Sequence, residues 1–146
     1  MFLSGEKSKK YVEGIIHEET QLSDSGVDLT VNGVARVTSP ADLDFGGGEE
    51  NPGEIEELSP EKKSEDDKYG WWNLEGGIYI IDFNEEINVT EGLGIVAPLE
   101  RLTEGGSFHP SIVFTGKLEK RQVLYVNSSR LNLKENARIS RLSIWR

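Results

Sequence analysis

The chain has 146 residues, with 26 acidic against 16 basic side chains and a formal net charge of −10, a balance that repels a phosphate backbone and disfavours bulk nucleic-acid binding. It contains no cysteine, which excludes a disulfide framework, a thiolate metal site and a cysteine nucleophile. No stretch approaches the ~20 apolar residues of a membrane helix, and the start Met1-Phe2-Leu3-Ser4-Gly5 lacks a signal-peptide core, so the expectation is one soluble, cytoplasmic domain spanning 1–146.

Ser4 is placed to cap a helix, and Tyr11, Ile15 and Ile16 recur at helical spacing, which predicts one short helix from Lys7 to His17. Almost everything after it reads as strand. Val27 to Val31 alternates, Asn32-Gly33 is a strong hairpin signal, and Val34 to Val37 follows, so a hairpin is predicted there. Residues 46–70 run from three glycines into a string of Glu and Asp with two prolines and hardly an apolar side chain. That composition predicts a long acidic, flexible loop.

From Tyr69 onward short apolar runs return: 78–83, 87–89, 93–97, 111–114, 123–126 and 138–145, each bounded by Gly, Asn, Pro or Glu. Such spacing predicts an all-β sandwich or barrel. Lys and Arg are scattered apart from Lys7-Lys9-Lys10 and Lys117-Lys120-Arg121, and Gly46-Gly47-Gly48 leads into acid and proline rather than a helix, so it is no phosphate loop.

Three places could carry chemistry. Asp28 sits inside an apolar strand just after Gly26, where a carboxylate either caps backbone amides or holds a metal-bound or phosphate-bound water. In the segment Pro98 to Pro110, His109 could be a base or ligand but has only His17 as a companion. Arg101 is the better phosphate clamp, since a guanidinium meets phosphate oxygens two at a time. Tyr69-Gly70-Trp71-Trp72 could stack a base or pack, and because neighbours on a strand point to opposite faces, one Trp is expected in the core. Asn88-Val89-Thr90 and Asn127-Ser128-Ser129 match the glycosylation pattern, which has no meaning without secretion.

Gly26-Val27-Asp28-Leu29 resembles the first motif, Gly-x-Asp-Leu, of the dUTPase and dCTP deaminase superfamily, particularly its archaeal branch. The stretch Leu133 to Trp145, with Ala137-Arg138-Ile139-Ser140-Arg141-Leu142, is similar to that family's closing Gly-x-Arg-Ile-x-Gln-Leu strand. The resemblance implies a distorted antiparallel barrel of the dUTPase-like kind, a homotrimer with nucleotide sites at subunit interfaces, and magnesium carried on a bound deoxynucleoside triphosphate rather than on a direct protein site. By that likeness Asp28, Arg101, Phe114, Gly116 and Arg141 are the nucleotide-binding and phosphate-binding candidates, and Asp28 and Ser111 the catalytic ones.

The departures are in the chemistry. The phosphate-binding Pro-Arg-Ser-Ser-Leu falls on Pro98-Leu99-Glu100-Arg101-Leu102, which loses both serines and places an acid among phosphate oxygens. The water-activating aspartate falls on Ser111 in one register and on Thr115 in the other, and the deaminase glutamate on Leu124. Neither hydroxyl can take a proton without its own base. Arg141 replaces the closing-strand glutamine, and the chain stops at Arg146 before any glycine-rich arm. The reading is a diverged member that binds deoxynucleotides or regulates, with a degraded active site. The alternatives are an active dUTP pyrophosphatase with a relocated carboxylate such as Glu100, Glu104 or Glu119, and a structural protein on a trimeric scaffold.

Overall fold

A computed structural model describes residues 1–119 and 121–146, and Lys120, part of one basic cluster noted above, lies outside the described residues. The elements are α1 (Gly5–Ser8), β1 (Val12–Glu13), α2 (Glu18–Gln21), β2 (Leu22–Ser23), β3 (Gly26–Val37), β4 (Ile55–Leu58), β5 (Trp71–Phe83), β6 (Glu86–Pro98), α3 (Glu100–Glu104), β7 (Ser107–Phe108), β8 (Ile112–Lys117), β9 (Arg121–Lys134) and β10 (Arg138–Trp145). Every pairing is antiparallel. The main path runs β1-β6-β10-β3-β5-β9-β7, with β2 and β4 also on β3 and β8 on β6. The all-β expectation holds, but the path is open, since its end strands β1 and β7 do not pair with each other.

The strand β3 organises the molecule because it changes core half-way along. Val27 and Leu29 pack with Leu3, Ile87, Val96, Leu142 and Ile144, whereas Val31 and Val34 pack with Trp72, Ile81, Leu124 and Ile139. The inward positions are odd up to Val31 and even at Val34, which requires one extra residue. The Val31/Gly33 register shift against β5 supplies it. Asn32-Gly33 is therefore a bulge in a continuous strand, not the predicted hairpin turn. Tertiary pairing on both sides overrides the local turn signal, because β10 holds Val27 to Thr30 and β5 holds Val31 to Ala35.

Two other expectations are corrected. The helix predicted over 7–17 is only α1 with a 3-10 turn at Lys9–Tyr11, although Ser4 does cap it, its Oγ accepting from the Lys7 N–H. Val12 and Glu13 leave to pair with Ile87 and Glu86, and Gly14 turns the chain at φ +86°. The acidic 46–70 segment is not wholly loop: Ile55–Leu58 pairs with Val34–Val37, and Glu61 bridges Trp71. Arg36 meets Glu56 and Arg121 meets Glu57 along that edge, so part of the acid is neutralised there.

The runs expected as separate strands at 87–89 and 93–97 form one strand, β6, with a register irregularity between Val89 and Gly94. Trp72 is buried, its Nε1 donating to the Leu58 carbonyl, while Trp71 has Lys63 and Lys134 over its ring. One tryptophan is core, as alternation requires.

Candidate functional site

Gly26 opens β3 at φ +144°, and a Cβ there would run into the Leu142 carbonyl, so this position is closed to a side chain. That tight approach seats β10 against the start of β3 and brings two arginines to Asp28. Asp28 is buried, its side chain 4% exposed. Arg138 Nη1 donates to its Oδ2 at 2.8 Å and Arg141 Nε to its Oδ1 at 2.9 Å. Residues three apart on a regular strand face opposite ways. The shift between Arg138 and Ser140 in the β10–β3 pairing bulges the strand and returns both guanidiniums to one side.

A buried polar cluster continues from this pair. Gln21 Nε2 donates to the Asp28 backbone carbonyl and to Glu85 Oε2, while its Oε1 accepts from the Ile16 and His17 N–H groups. Glu85 accepts from the Thr30 N–H at 2.6 Å and from its hydroxyl at 2.5 Å. Asn84 Nδ2 donates to Thr30 Oγ1 and to Asn136 Oδ1. Burial raises the Glu85 carboxyl above its ordinary value, against the lowering effect of the Thr30 bonds.

Against this cluster, with Gln21, Thr30 and Asn136 in its wall, lies a cavity of about 240 Å³ whose lining also includes His17, Thr20, Arg101 and Arg138. No carboxylate lines it, whereas each of the four other cavities described has at least one. On a chain of net charge −10 this is a local reversal of field.

The predicted site residues divide. Asp28 and Arg141 are in direct contact, and Arg101 on α3 shares the cavity with Arg138. Ser111, Phe114 and Gly116 lie elsewhere. Ser111 is exposed, one residue beyond the Val96–Ile112 pair and two strand spacings, about 10 Å, from Arg141. Phe114 packs against the core that holds Val27 and Leu29, with its ring over Gly94, where an added Cβ would come within 2.6 Å of it. Gly116, at φ +72°, stands opposite Val89 with open space beside it. Arg138, Gln21, Thr30, Glu85 and Asn136 were not singled out from sequence. Of these, Asn136 and Arg138 lay in the stretch likened to the closing motif.

Asp28 caps no backbone amide of the described residues; each of its carboxylate oxygens accepts instead from a guanidinium. Magnesium prefers free carboxylate or water oxygens, so these residues do not fit a direct magnesium site. Among the described residues no group of three His, Asp or Glu could hold a metal.

His109 is buried, its Nδ1 against the Pro110 carbonyl and its Nε2 2.6 Å from Ser140 Oγ. Burial pushes its pKa below the ordinary value. It joins the β7–β8 loop to β10 as a neutral ring. Because the unfolded chain takes up that proton first, His109 contributes stability above about pH 6.5 that is lost as pH falls toward the lowered folded value, by up to ~1.4 kcal/mol per pH unit. Urea melts at about pH 7.5 and pH 5.5 are expected to show a shallower acid loss in His109→Gln than in the wild type.

With this geometry in place, comparison with known proteins is specific. No family model matches the chain. It is 31% identical over 139 residues to a probable deoxyuridine 5'-triphosphate nucleotidohydrolase of Methanococcoides burtonii, covering 92% of this chain and 78% of that protein. The corresponding Methanosarcina mazei protein is 30% identical over 139 residues, covering 92% of this chain and 77% of its own length. The chain belongs to the dUTPase and dCTP deaminase superfamily. Its fold is also that of the 2'-deoxycytidine 5'-triphosphate deaminase from Agrobacterium tumefaciens, at TM-score 0.66 and 12% identity over 99% of this chain. The chain spans about half of that deaminase, 48% of its length. Within the superfamily fold, the motif glycine of Gly26-Val27-Asp28-Leu29 has a concrete task, since only a residue without a side chain lets β10 close on β3. No described helix is long and apolar enough to cross a membrane.

Proposed function

We propose that this superfamily member binds a deoxynucleoside triphosphate without hydrolysing it, its phosphates resting against Arg101 and Arg138, and that it acts as a regulatory or nucleotide-sensing protein. The observation that carries the reading is the carboxylate-free, arginine-bearing cavity set beside a buried aspartate whose two carboxylate oxygens each accept from a guanidinium. Hydrolysis needs a group to accept the water's proton. Asp28 is committed to two guanidiniums, and Ser111 is exposed on the far side of β6 with no hydrogen-bond partner among the described residues to act as its base. Arg101 has no acidic partner among the described residues and is available to a phosphate. Magnesium would arrive on the triphosphate, and the homotrimer and cytoplasmic setting implied by the resemblance are part of the same proposal.

The test is a panel of deoxynucleoside triphosphates with magnesium, read for pyrophosphate release and for thermal stabilisation. The expected result is stabilisation by at least one nucleotide, worth ~2.7 kcal/mol at a hundredfold excess over Kd, with no release of pyrophosphate. Arg101→Glu is expected to weaken that binding on the order of tenfold or more, through loss of a charge-assisted bond. Turnover of dUTP would establish the active pyrophosphatase instead, and no stabilisation by any nucleotide would leave the structural role.

A further inference from the structure

Residues 14–21 form a strap that crosses from β1 to β2 and supplies one wall of the cavity of Arg101 and Arg138. From Ile16 to Thr20 every residue of the strap is exposed, whereas Gln21 is 2% exposed. That exposed stretch gains little from apolar burial, and its ion pair of Lys9 with Glu18 lies on the surface, where such pairs contribute little.

Gln21 supplies the attachment instead, and it uses its whole hydrogen-bonding capacity to do so. Its Oε1 accepts from the Ile16 N–H at 2.8 Å and from the His17 N–H at 2.9 Å. Its Nε2 donates to the Asp28 carbonyl at 2.9 Å and to Glu85 Oε2 at 3.2 Å. One end of the amide therefore holds the strap and the other holds β3 and Glu85. A glutamate at this position would present a second carboxylate to Glu85. A methionine, of similar length, would hold neither end.

The strap carries two polar side chains into the cavity wall. Thr20 Oγ1 lies 2.8 Å from His17 Nδ1, and the Thr20 carbonyl lies 3.5 Å from Arg138 Nη1. His17 Nε2 has no hydrogen-bond partner among the described residues. With the Thr20 hydroxyl donating to Nδ1, the proton of the neutral ring sits on Nε2. Given phosphates against Arg101 and Arg138, on which this inference rests, we propose that His17 is a third phosphate ligand, donating from Nε2, and that Gln21 is the positioning residue that places it. Gln21 touches no ligand and acts through His17.

Calorimetric titration of the full chain with dUTP and with inorganic tripolyphosphate, each with magnesium, tests this, after urea melts have established that each variant is folded under the conditions of the titration. His17→Ala alters an exposed side chain and is expected to weaken both ligands about tenfold, through loss of a bond to a charged group. Gln21→Met is expected to weaken both by a similar factor. The variant carrying both substitutions is expected to bind within about threefold of either single variant, because the second change removes nothing that the first has left in place. Folded Gln21→Met binding as tightly as the wild type, or losses that multiply to about a hundredfold in the double variant, would overturn the positioning role. Unchanged affinity in His17→Ala would overturn the proposal as a whole, and that result does not depend on whether Gln21→Met folds. Loss of dUTP affinity alone, with tripolyphosphate bound as before, would put His17 at the nucleoside and overturn the phosphate contact. A wild type that binds neither ligand would overturn the nucleotide site itself and this proposal with it, whereas binding that survives in both variants overturns this proposal alone.

Discussion

Replacing Asp28 by alanine is expected to destabilise the fold by about 3 kcal/mol while leaving Arg138 and Arg141 in place to repel each other. Removing one partner from a buried ion pair costs ~3–5 kcal/mol, and the lower end applies because the two arginine side chains are each 34% exposed and recover some hydration. Asp28→Asn keeps the shape but turns an acceptor into an amide donor facing a guanidinium, so a loss of about 2 kcal/mol is expected from one charge-assisted bond and its mismatch. Urea denaturation of the three chains measures this. The sharper readout is a double-mutant cycle with Arg141→Leu, in which the Asp28→Ala cost is expected to fall by 1 kcal/mol or more, since one of the two charges left unpaired is already gone. Independence of the two substitutions would show that the 2.9 Å bond between them carries no stability.

That pair also shows where sequence reasoning stops. The segments Ile78 to Phe83 and Arg138 to Trp145 were legible as short apolar-rich runs bounded by turn residues, and both are strand. Asp28 could be singled out because an acid in an apolar run is anomalous. Its partners could not, since Arg138 and Arg141 are three residues apart and a regular strand places them on opposite faces. Only the bulge at Ile139 unites them. The same limitation concealed Asn32-Gly33, where a residue pair suited to a hairpin turn is spent on switching β3 from one core to the other. Ile55 and Leu58 were too sparse within the acidic segment to register as β4. Glu85 gave no signal, for it sits among Asp82, Glu86 and Glu91 in a stretch that reads as a solvated turn.

Glu85 is the residue whose removal tests the buried polar cluster most directly. Its carboxylate takes the Thr30 N–H, the Thr30 hydroxyl and Gln21 Nε2, so Glu85→Ala strands three donors beneath β3. A buried N–H without a partner costs ~1–3 kcal/mol, and with the weaker losses added the expected destabilisation at neutral pH is about 3 kcal/mol. The charge itself acts in the other direction. Burial raises the folded pKa of Glu85 above its ordinary 4.5, so the folded chain binds this proton more tightly than the unfolded chain. The resulting stabilisation is full below about pH 4.5 and is lost as pH rises through the raised folded value. Glu85→Gln is neutral at every pH and removes this titration. Its amide nitrogen confronts the Gln21 donor, so a cost of about 1–2 kcal/mol is expected at acid pH. At neutral pH the same variant is expected to approach the wild type, because the wild type alone then carries a desolvated charge. Urea melts of both chains from about pH 4 to pH 8 measure the crossing, and a difference that stays constant over that range would mean that Glu85 titrates alike in the folded and unfolded chains.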